Sequence, residues 1–141
     1  MKKNKGQVIV EFALILPLFL LIMYGIIYSG MMFHDYSTIS NIARSSAREA
    51  ALSDSSKYGE IAGRYEGLLG NLMTSFYTKN GDNAIVIQQI TDDEGNKSVC
   101  STITMKLDVH GYFVDMILPP TFGVQYFMRS EPTSSSPSGG L

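Results

Sequence analysis

The sequence contains few of the residues that carry most protein chemistry. Among 141 residues there are two histidines, His34 and His110, and one cysteine, Cys100. A single cysteine excludes an intramolecular disulfide, and no pair of histidines or cysteines has the spacing of a zinc site. No glycine-rich loop opens a helix as in nucleotide-binding motifs, and no serine lies in a nucleophile elbow. The sequence therefore predicts no enzyme: no catalytic residues, no metal, no cofactor and no small-molecule substrate.

Positive charge is scarce as well. Lys and Arg number 11 against 13 Asp and Glu, which gives a formal net charge of −2. Lys2, Lys3 and Lys5 lie together at the N-terminus, and the remaining basic residues form no stripe that could follow a nucleic-acid backbone. The sequence therefore predicts no nucleic-acid partner.

Three polar features each have a simple interpretation. The acidic cluster at 92–94 lacks the spacing of an EF-hand loop, so a hairpin turn is the leading interpretation. The pair His34-Asp35 follows the apolar run, where polar residues are common, and is not predicted to be catalytic. Cys100 lies in a strand pattern, and we expect a small buried apolar residue there, with intermolecular pairing as the alternative.

A long apolar run dominates the N-terminal third of the chain. The 22 positions from Phe12 to Phe33 contain no Asp, Glu, Lys or Arg. At ~1.5 Å per residue they extend about 33 Å, enough to cross a ~30 Å hydrocarbon core and too long for a cleaved secretory signal. We therefore predict a transmembrane helix over residues 7–34. The lysines before it predict a cytoplasmic N-terminus and an extracytoplasmic C-terminal domain.

The residues at the start of this run resemble the processing site of type IV pilins. Gly6 is followed by four residues and then by Glu11-Phe12, after a short basic leader. The segments 11–17 and 43–51, with Gly25 and Gly30 between them, are similar to the TadE-like pseudopilins of the Tad (Flp) pilus system. The end of the domain, at 128–131, also resembles the ends of those proteins.

The resemblance implies a function and a set of partners. A prepilin peptidase would cut between Gly6 and Gln7 on the cytoplasmic side, leaving the apolar helix on the mature chain. The other implied partners are membrane lipid, the pilus platform and other pilin subunits. Major Tad subunits resemble much shorter, nearly all-helical chains, so the extra domain favours a minor pilin that assembles or primes the pilus. The protein would reside in the cytoplasmic membrane or in the extracellular pilus.

Individual positions in the helix have predicted roles. Glu11, beside Phe12, is a carboxylate at the entrance of a lipid-facing run, and such a residue is a functional hypothesis by default. We expect it to pair with the amine of Gln7 on its own chain or on a neighbouring subunit. Gly25 and Ser29 form a small-xxx-small pair that allows close helix packing in lipid. Pro17 removes a backbone donor, which transmembrane helices tolerate, and can bend the helix.

Hydrophobic periodicity predicts an α+β fold for the whole chain. One helix is expected over 7–52, with an amphipathic stalk over 35–52, and a second amphipathic helix over 56–77. Strands are expected at 84–91, 99–109 and 124–129, forming a small antiparallel sheet of about three strands. Prolines exclude a regular strand at 116–120. We expect an extracytoplasmic domain over 53–131, a leader over 1–6 and a disordered tail over 132–141.

The sequence leaves one alternative function open. The same features are compatible with an uncleaved, signal-anchored envelope protein whose outer domain binds a partner. Cleavage after Gly6 distinguishes the two, because a simple anchor requires no such processing.

Overall fold

The computed structural model describes residues 4–92 and 95–130. Predictions on Lys2, Lys3, the turn residues Asp93 and Glu94, and the tail lie outside these residues. The described elements are helices α1 (Asn4–Ala51), α2 (Tyr58–Leu72) and α3 (Tyr112–Ile117), and strands β1 (Tyr77–Lys79), β2 (Ile85–Thr91), β3 (Lys97–Leu107) and β4 (Thr121–Arg129). A 3₁₀ turn, Ser55–Lys57, leads into α2. The predicted α+β class is confirmed.

Helix α1 is a single element of 48 residues that contains Pro17 in its interior. At ~1.5 Å per residue it extends about 70 Å. Its two halves differ in burial. The first half is exposed, whereas the second half carries a stripe of small and branched residues that pack under the domain: Ile39, Ile42, Ala43, Ala47, Ala50 and Ala51. The first half of the helix is therefore an N-terminal extension, and the second half is part of the domain core.

The sheet is antiparallel and is organised around β3. Strand β4 pairs with one edge of β3, with Ile103 opposite Val124. Strands β2 and β1 lie one after the other along the opposite edge, where Ile85 pairs with Ile103 and Tyr77 pairs with Leu107. The described sheet thus has four strands, one more than expected, because the second edge is divided between β1 and β2.

The predicted hairpin between β2 and β3 is present. The amide of Asp92 donates to the carbonyl of Asn96, and Gly95 has a φ of +83° that favours glycine. The alternating burial predicted for β3 is confirmed from Val99 to Leu107, although Cys100 is buried as well. Cys100 is a free thiol, in agreement with its predicted role as a small buried residue.

The predicted end of the second helix is wrong. Helix α2 ends at Leu72 rather than at 77, because Met73 is extended. Beyond it, the carbonyl of Phe76 accepts from the amide of Asp108, and Tyr77 pairs with β3. The chain therefore leaves the helix to join the sheet before the apolar spacing comes to an end.

Two strand boundaries also differ from the prediction. Strand β3 covers Lys97–Leu107 rather than 99–109, and β4 begins at Thr121, three residues earlier than expected. The segment before β4 is not a strand, as the prolines predict. It contains the short helix α3, which is too short to show a helical period in the sequence.

Two apolar clusters hold α1, α2 and the sheet together. Ala50 and Ala51 pack with Tyr58, Ile61 and Val99 at the far end of the domain. The larger cluster joins the middle of α1 to α2 and to the strands: Ile39, Ile42, Ala43, Leu69, Tyr77, Ala84, Ile85, Ile103, Met105, Leu107, Val114 and Leu118. The prediction that α2 packs on the alanine-rich face of α1 is confirmed.

Candidate functional site

The exposed half of α1 is the most unusual surface of the molecule. From Gly6 to Ile27 every residue is exposed, apart from half-buried Gly25. The most apolar stretch of the span Gly6–Ala51 has no residue buried within the chain. Apolar surface of this extent is not left in water. By length and composition the helix could cross a membrane, and it is not buried as the core helix of a soluble domain would be.

The predicted assembly residues lie at the base of this surface. Gly6, Gln7, Glu11 and Phe12 are all exposed. Gln7 and Glu11 are four residues apart, so they lie on one face, about 6 Å apart along the axis. Among the side chains that the structure describes, no cation lies within ion-pair distance of Glu11. Its carboxylate is therefore available to a partner outside these residues.

The predicted packing residues are brought onto the same face as Glu11. Ser29 is 18 residues beyond Glu11 in an uninterrupted helix. This separation is about five turns, and Gly25 lies one turn before Ser29. A methyl group added at Gly25 would meet no atom within 4 Å. The space beside this position is open to another helix, whereas Pro17 is exposed on a different side.

Helix α1 meets the domain at Tyr28. The ring of Tyr28 packs edge-on against Phe76, with 5.5 Å between centroids, and it stacks on Tyr24 at 6.2 Å. Tyrosine is enriched where a helix leaves lipid, because its ring is apolar and its hydroxyl is polar. The Tyr24–Tyr28 pair therefore marks the boundary between the exposed helix and the folded domain.

Asp35 is the residue that the sequence reasoning missed. Its side chain is fully buried and accepts hydrogen bonds from the amide (2.8 Å) and the hydroxyl of Thr74. His34 Nδ1 lies 3.4 Å from the same carboxylate. Asp35 precedes Ile39 by four residues, so the helical period places it on the buried stripe. That spacing, rather than its proximity to the membrane, was the available signal.

The Asp35 carboxylate fixes the segment after α2 to α1. Burial raises the pKa of the nearby Tyr77 hydroxyl, and the Asp35 charge raises that pKa further. The Tyr77 hydroxyl donates to the carbonyl of Pro119 at 3.1 Å. A second buried contact lies higher in the domain, where the hydroxyls of Ser46 and Ser101 are 2.8 Å apart. Polar contacts thus join α1 to the rest of the domain at two levels, through Thr74 and through Ser101.

We expect Asp35→Ala to destabilise the full chain by ~1–3 kcal/mol, since the Thr74 amide loses its acceptor. Asp35→Asn should recover most of this loss, because an amide can accept from the Thr74 amide and donate to its hydroxyl. Thermal unfolding in mild detergent, followed by circular dichroism, measures both. Asp54→Ala is the control, since Asp54 is exposed and makes no side-chain capping bond. Wild-type stability of Asp35→Ala would contradict this role.

The described residues contain no cluster of His, Cys, Asp and Glu that could hold a metal ion. His110 lies 3.4 Å from Asp115 in an exposed pair. A groove of about 630 Å³ runs between α2 and β1, lined in part by Gly63 and Lys79. Lys79 is already paired with Glu66 at 3.2 Å, and the described residues that line the groove form no catalytic arrangement.

The comparison with known families agrees with the N-terminal geometry. Residues 6–48 match the family model described as TadE-like protein. The match begins at Gly6 and ends within α1, so it includes the exposed run and the buried stripe as far as Ala47, but not Ala50, Ala51, α2 or the sheet. No curated protein and no solved structure matches the chain. Over residues 6–48, which form most of helix α1, the chain is similar to TadE-like proteins, and this helix is long and apolar enough to anchor it in a membrane.

Proposed function

We propose that this protein is a minor pilin, or pseudopilin, that assembles or primes a Tad-type pilus. A prepilin peptidase would cut after Gly6, and residues 7–34 would hold the mature chain in the cytoplasmic membrane until the filament takes it up. The observation that carries the proposal is the exposed apolar half of α1, which has a lone carboxylate at its base and a folded domain at its other end.

The proposed topology follows from the length and polarity of α1. With Glu11 at the inner boundary, ~20 residues of helix cross the hydrocarbon core and end near Met31. The Tyr24–Tyr28 pair then lies at the outer interface, and the domain lies outside the membrane. The lysines before the apolar run favour retention of the N-terminus in the cytoplasm.

The proposed assembly step uses the face that carries Glu11, Gly25 and Ser29. Cleavage creates a free amine on Gln7, which can neutralise the Glu11 carboxylate of an adjacent subunit. The small residues higher on the same face allow the two helices to approach closely. The prepilin peptidase, the pilus platform and other pilin subunits are the partners of this proposal. An uncleaved binding module is the alternative, and it requires neither the cut nor the helix contact.

The experiment that tests the proposal is complementation of a strain that lacks this gene. Pili are sheared from the cells, and the major subunit in the sheared fraction is quantified by immunoblot. A priming protein is needed in few copies but for every filament, so its loss should strongly reduce the sheared fraction. Unchanged piliation in the deletion strain would overturn the proposal.

We expect Gly25→Leu to reduce pilus assembly while leaving membrane insertion unchanged. A leucine would occupy the open space at position 25 and separate the helices. Ile27→Leu is the control, because Ile27 is exposed on the opposite side of the helix and the change conserves volume. Sheared pili and membrane-fraction immunoblots are compared for both variants. Equal piliation in Gly25→Leu and Ile27→Leu would show that close packing at Gly25 is not required.

A further inference from the structure

Helix α3 has apolar residues on its outer face as well as on its inner face. Val114 and Leu118 point into the core and are almost fully buried. Met116 is 68% exposed and Tyr112, one turn earlier, is 86% exposed. Val109, in the loop before α3, is also exposed. A surface helix of a soluble domain normally has a polar outer face, whereas here Tyr112 and Met116 are exposed beside a single charged residue, Asp115.

The position of α3 along α1 suggests what covers this face. Strand β3 runs antiparallel to α1: Val99 packs by Ala50, whereas Asp108, just past its other end, donates its amide to the carbonyl of Phe76. Phe76 is the residue that packs on Tyr28. Helix α3 begins four residues after Asp108, so it lies at the end of the domain where α1 becomes exposed.

The dimensions of the two elements agree with this placement. From Ala50 to Tyr28 the helix extends about 33 Å at ~1.5 Å per residue. From Val99 to Asp108 the strand extends about 30 Å at ~3.3 Å per residue. Strand β3 therefore reaches almost to the level of Tyr28, and the segment 109–116 follows it at that end of the domain.

We infer that the outer face of α3 lies in the interfacial layer of the bilayer beside α1, as a second contact between the domain and lipid. The inference rests on the proposed membrane insertion of α1, and the apolar face of α3 continues that interface. Leu72, at the C-terminal end of α2, is also exposed near this level, so it adds an apolar residue to the same interface. Amphipathic segments bind at this depth by burying a few apolar side chains among the headgroups.

The charges beside α3 define the kind of lipid. Asp108 and Asp115 are exposed there, and His110 is paired with Asp115. The described segment 109–116 contains no Lys or Arg, and the base that precedes it along the chain, Lys106, lies farther up on β3. An acidic border is repelled by anionic headgroups, so the partner is a zwitterionic surface, and adding anionic lipid should weaken the contact.

The absence of tryptophan from the chain allows a direct test, because a single introduced Trp reports one position. The full chain is reconstituted in phosphatidylcholine vesicles with or without lipid brominated on the acyl chain near the headgroup. Met116→Trp is the probe and Leu52→Trp is the matched control, since Leu52 is 69% exposed at the opposite end of the domain. Phe19→Trp reports insertion of α1 separately.

We expect the emission of the Met116→Trp variant to shift to shorter wavelength and to lose intensity with brominated lipid, while that of Leu52→Trp does neither. Replacing part of the phosphatidylcholine with phosphatidylglycerol should reduce the quenching of the Met116→Trp variant.

Two results would overturn the inference. If the Phe19→Trp variant is quenched while Met116→Trp behaves like Leu52→Trp, α3 does not contact lipid, although membrane anchoring by α1 stands. If the emission of Met116→Trp shifts only in concentrated protein in detergent, without quenching by brominated lipid, the face is covered by a second copy of the chain instead.

Discussion

Glu11→Gln is expected to insert and fold as the wild type does, but to fail to join or prime a filament. The substitution keeps the size of the side chain and removes its charge. In the single chain the carboxylate is exposed and has no cation partner among the described side chains, so folding does not depend on it. Its loss should therefore affect only the step at which another subunit supplies an amine.

The energetic argument for this step depends on lipid. An unpaired acid near the end of a transmembrane helix costs ~1–3 kcal/mol on insertion scales, which is enough to bias docking without preventing insertion. Neutralisation by the Gln7 amine of a neighbour relieves this cost only in one register. If Glu11 instead reaches the headgroups, the cost disappears and the Gln variant should assemble normally.

The measurement compares sheared pili from strains carrying Glu11→Gln or Glu60→Gln as the only copy. Glu60 is exposed in the first turn of α2, so the same chemical change there should leave piliation intact. Membrane-fraction immunoblots verify insertion, and the mobility of the band verifies processing. Wild-type piliation with Glu11→Gln would show that charge pairing is not the mechanism.

Gly123→Ala is expected to destabilise the domain, whereas the same substitution at Gly63 should stabilise it. A Cβ at Gly123 would lie 2.9 Å from the backbone carbonyl oxygen of Ile103 and 3.4 Å from Thr104 Oγ1. Because the nearer atom is in the backbone of β3, the strands must separate, and such overpacking costs ~1–3 kcal/mol. At Gly63, exposed in α2, a Cβ would meet no atom within 4 Å, and helix propensity favours alanine by about 0.5–1 kcal/mol.

Thermal unfolding of the full-length Gly123→Ala and Gly63→Ala variants in detergent tests these two predictions. For a domain of this size each kcal/mol changes Tm by roughly 4–8 °C. The two variants should move Tm in opposite directions. A Gly123→Ala variant as stable as the wild type would show that β4 can shift on β3 without loss of packing.

The parts of the fold that the sequence predicts well are those with long, regular patterns. Helix α1 shows an apolar run and then a helical stripe, and β3 alternates over most of its length. The boundary at Leu72 is not predicted, because Phe76 continues the apolar spacing of α2. Its actual position depends on Asp35 and Asp108, which hold Thr74 and Phe76 outside the helix. Tertiary contacts of this kind leave no local pattern in the sequence.

The residues of the candidate site differ in how well the sequence predicts them. Gly6, Gln7, Glu11 and Phe12 form a compact motif that can be identified without a structure, and their processing and pairing roles remain predictions. By contrast, the burial of Asp35 and the outer face of α3 depend on which elements pack together. The six residues of α3 are too few to show a helical period in the sequence. The inferred lipid contact of its outer face follows only from its position at the exposed end of α1.

The most direct test of the account is the intact mass of the chain after coexpression with a prepilin peptidase. The wild type should lose residues 1–6 and begin at Gln7, which creates the amine that the assembly step requires. Gly6→Val should keep its full precursor mass, because the larger side chain blocks the cut. A wild-type chain that retains its precursor mass in the presence of an active peptidase would contradict the account and favour an uncleaved membrane anchor.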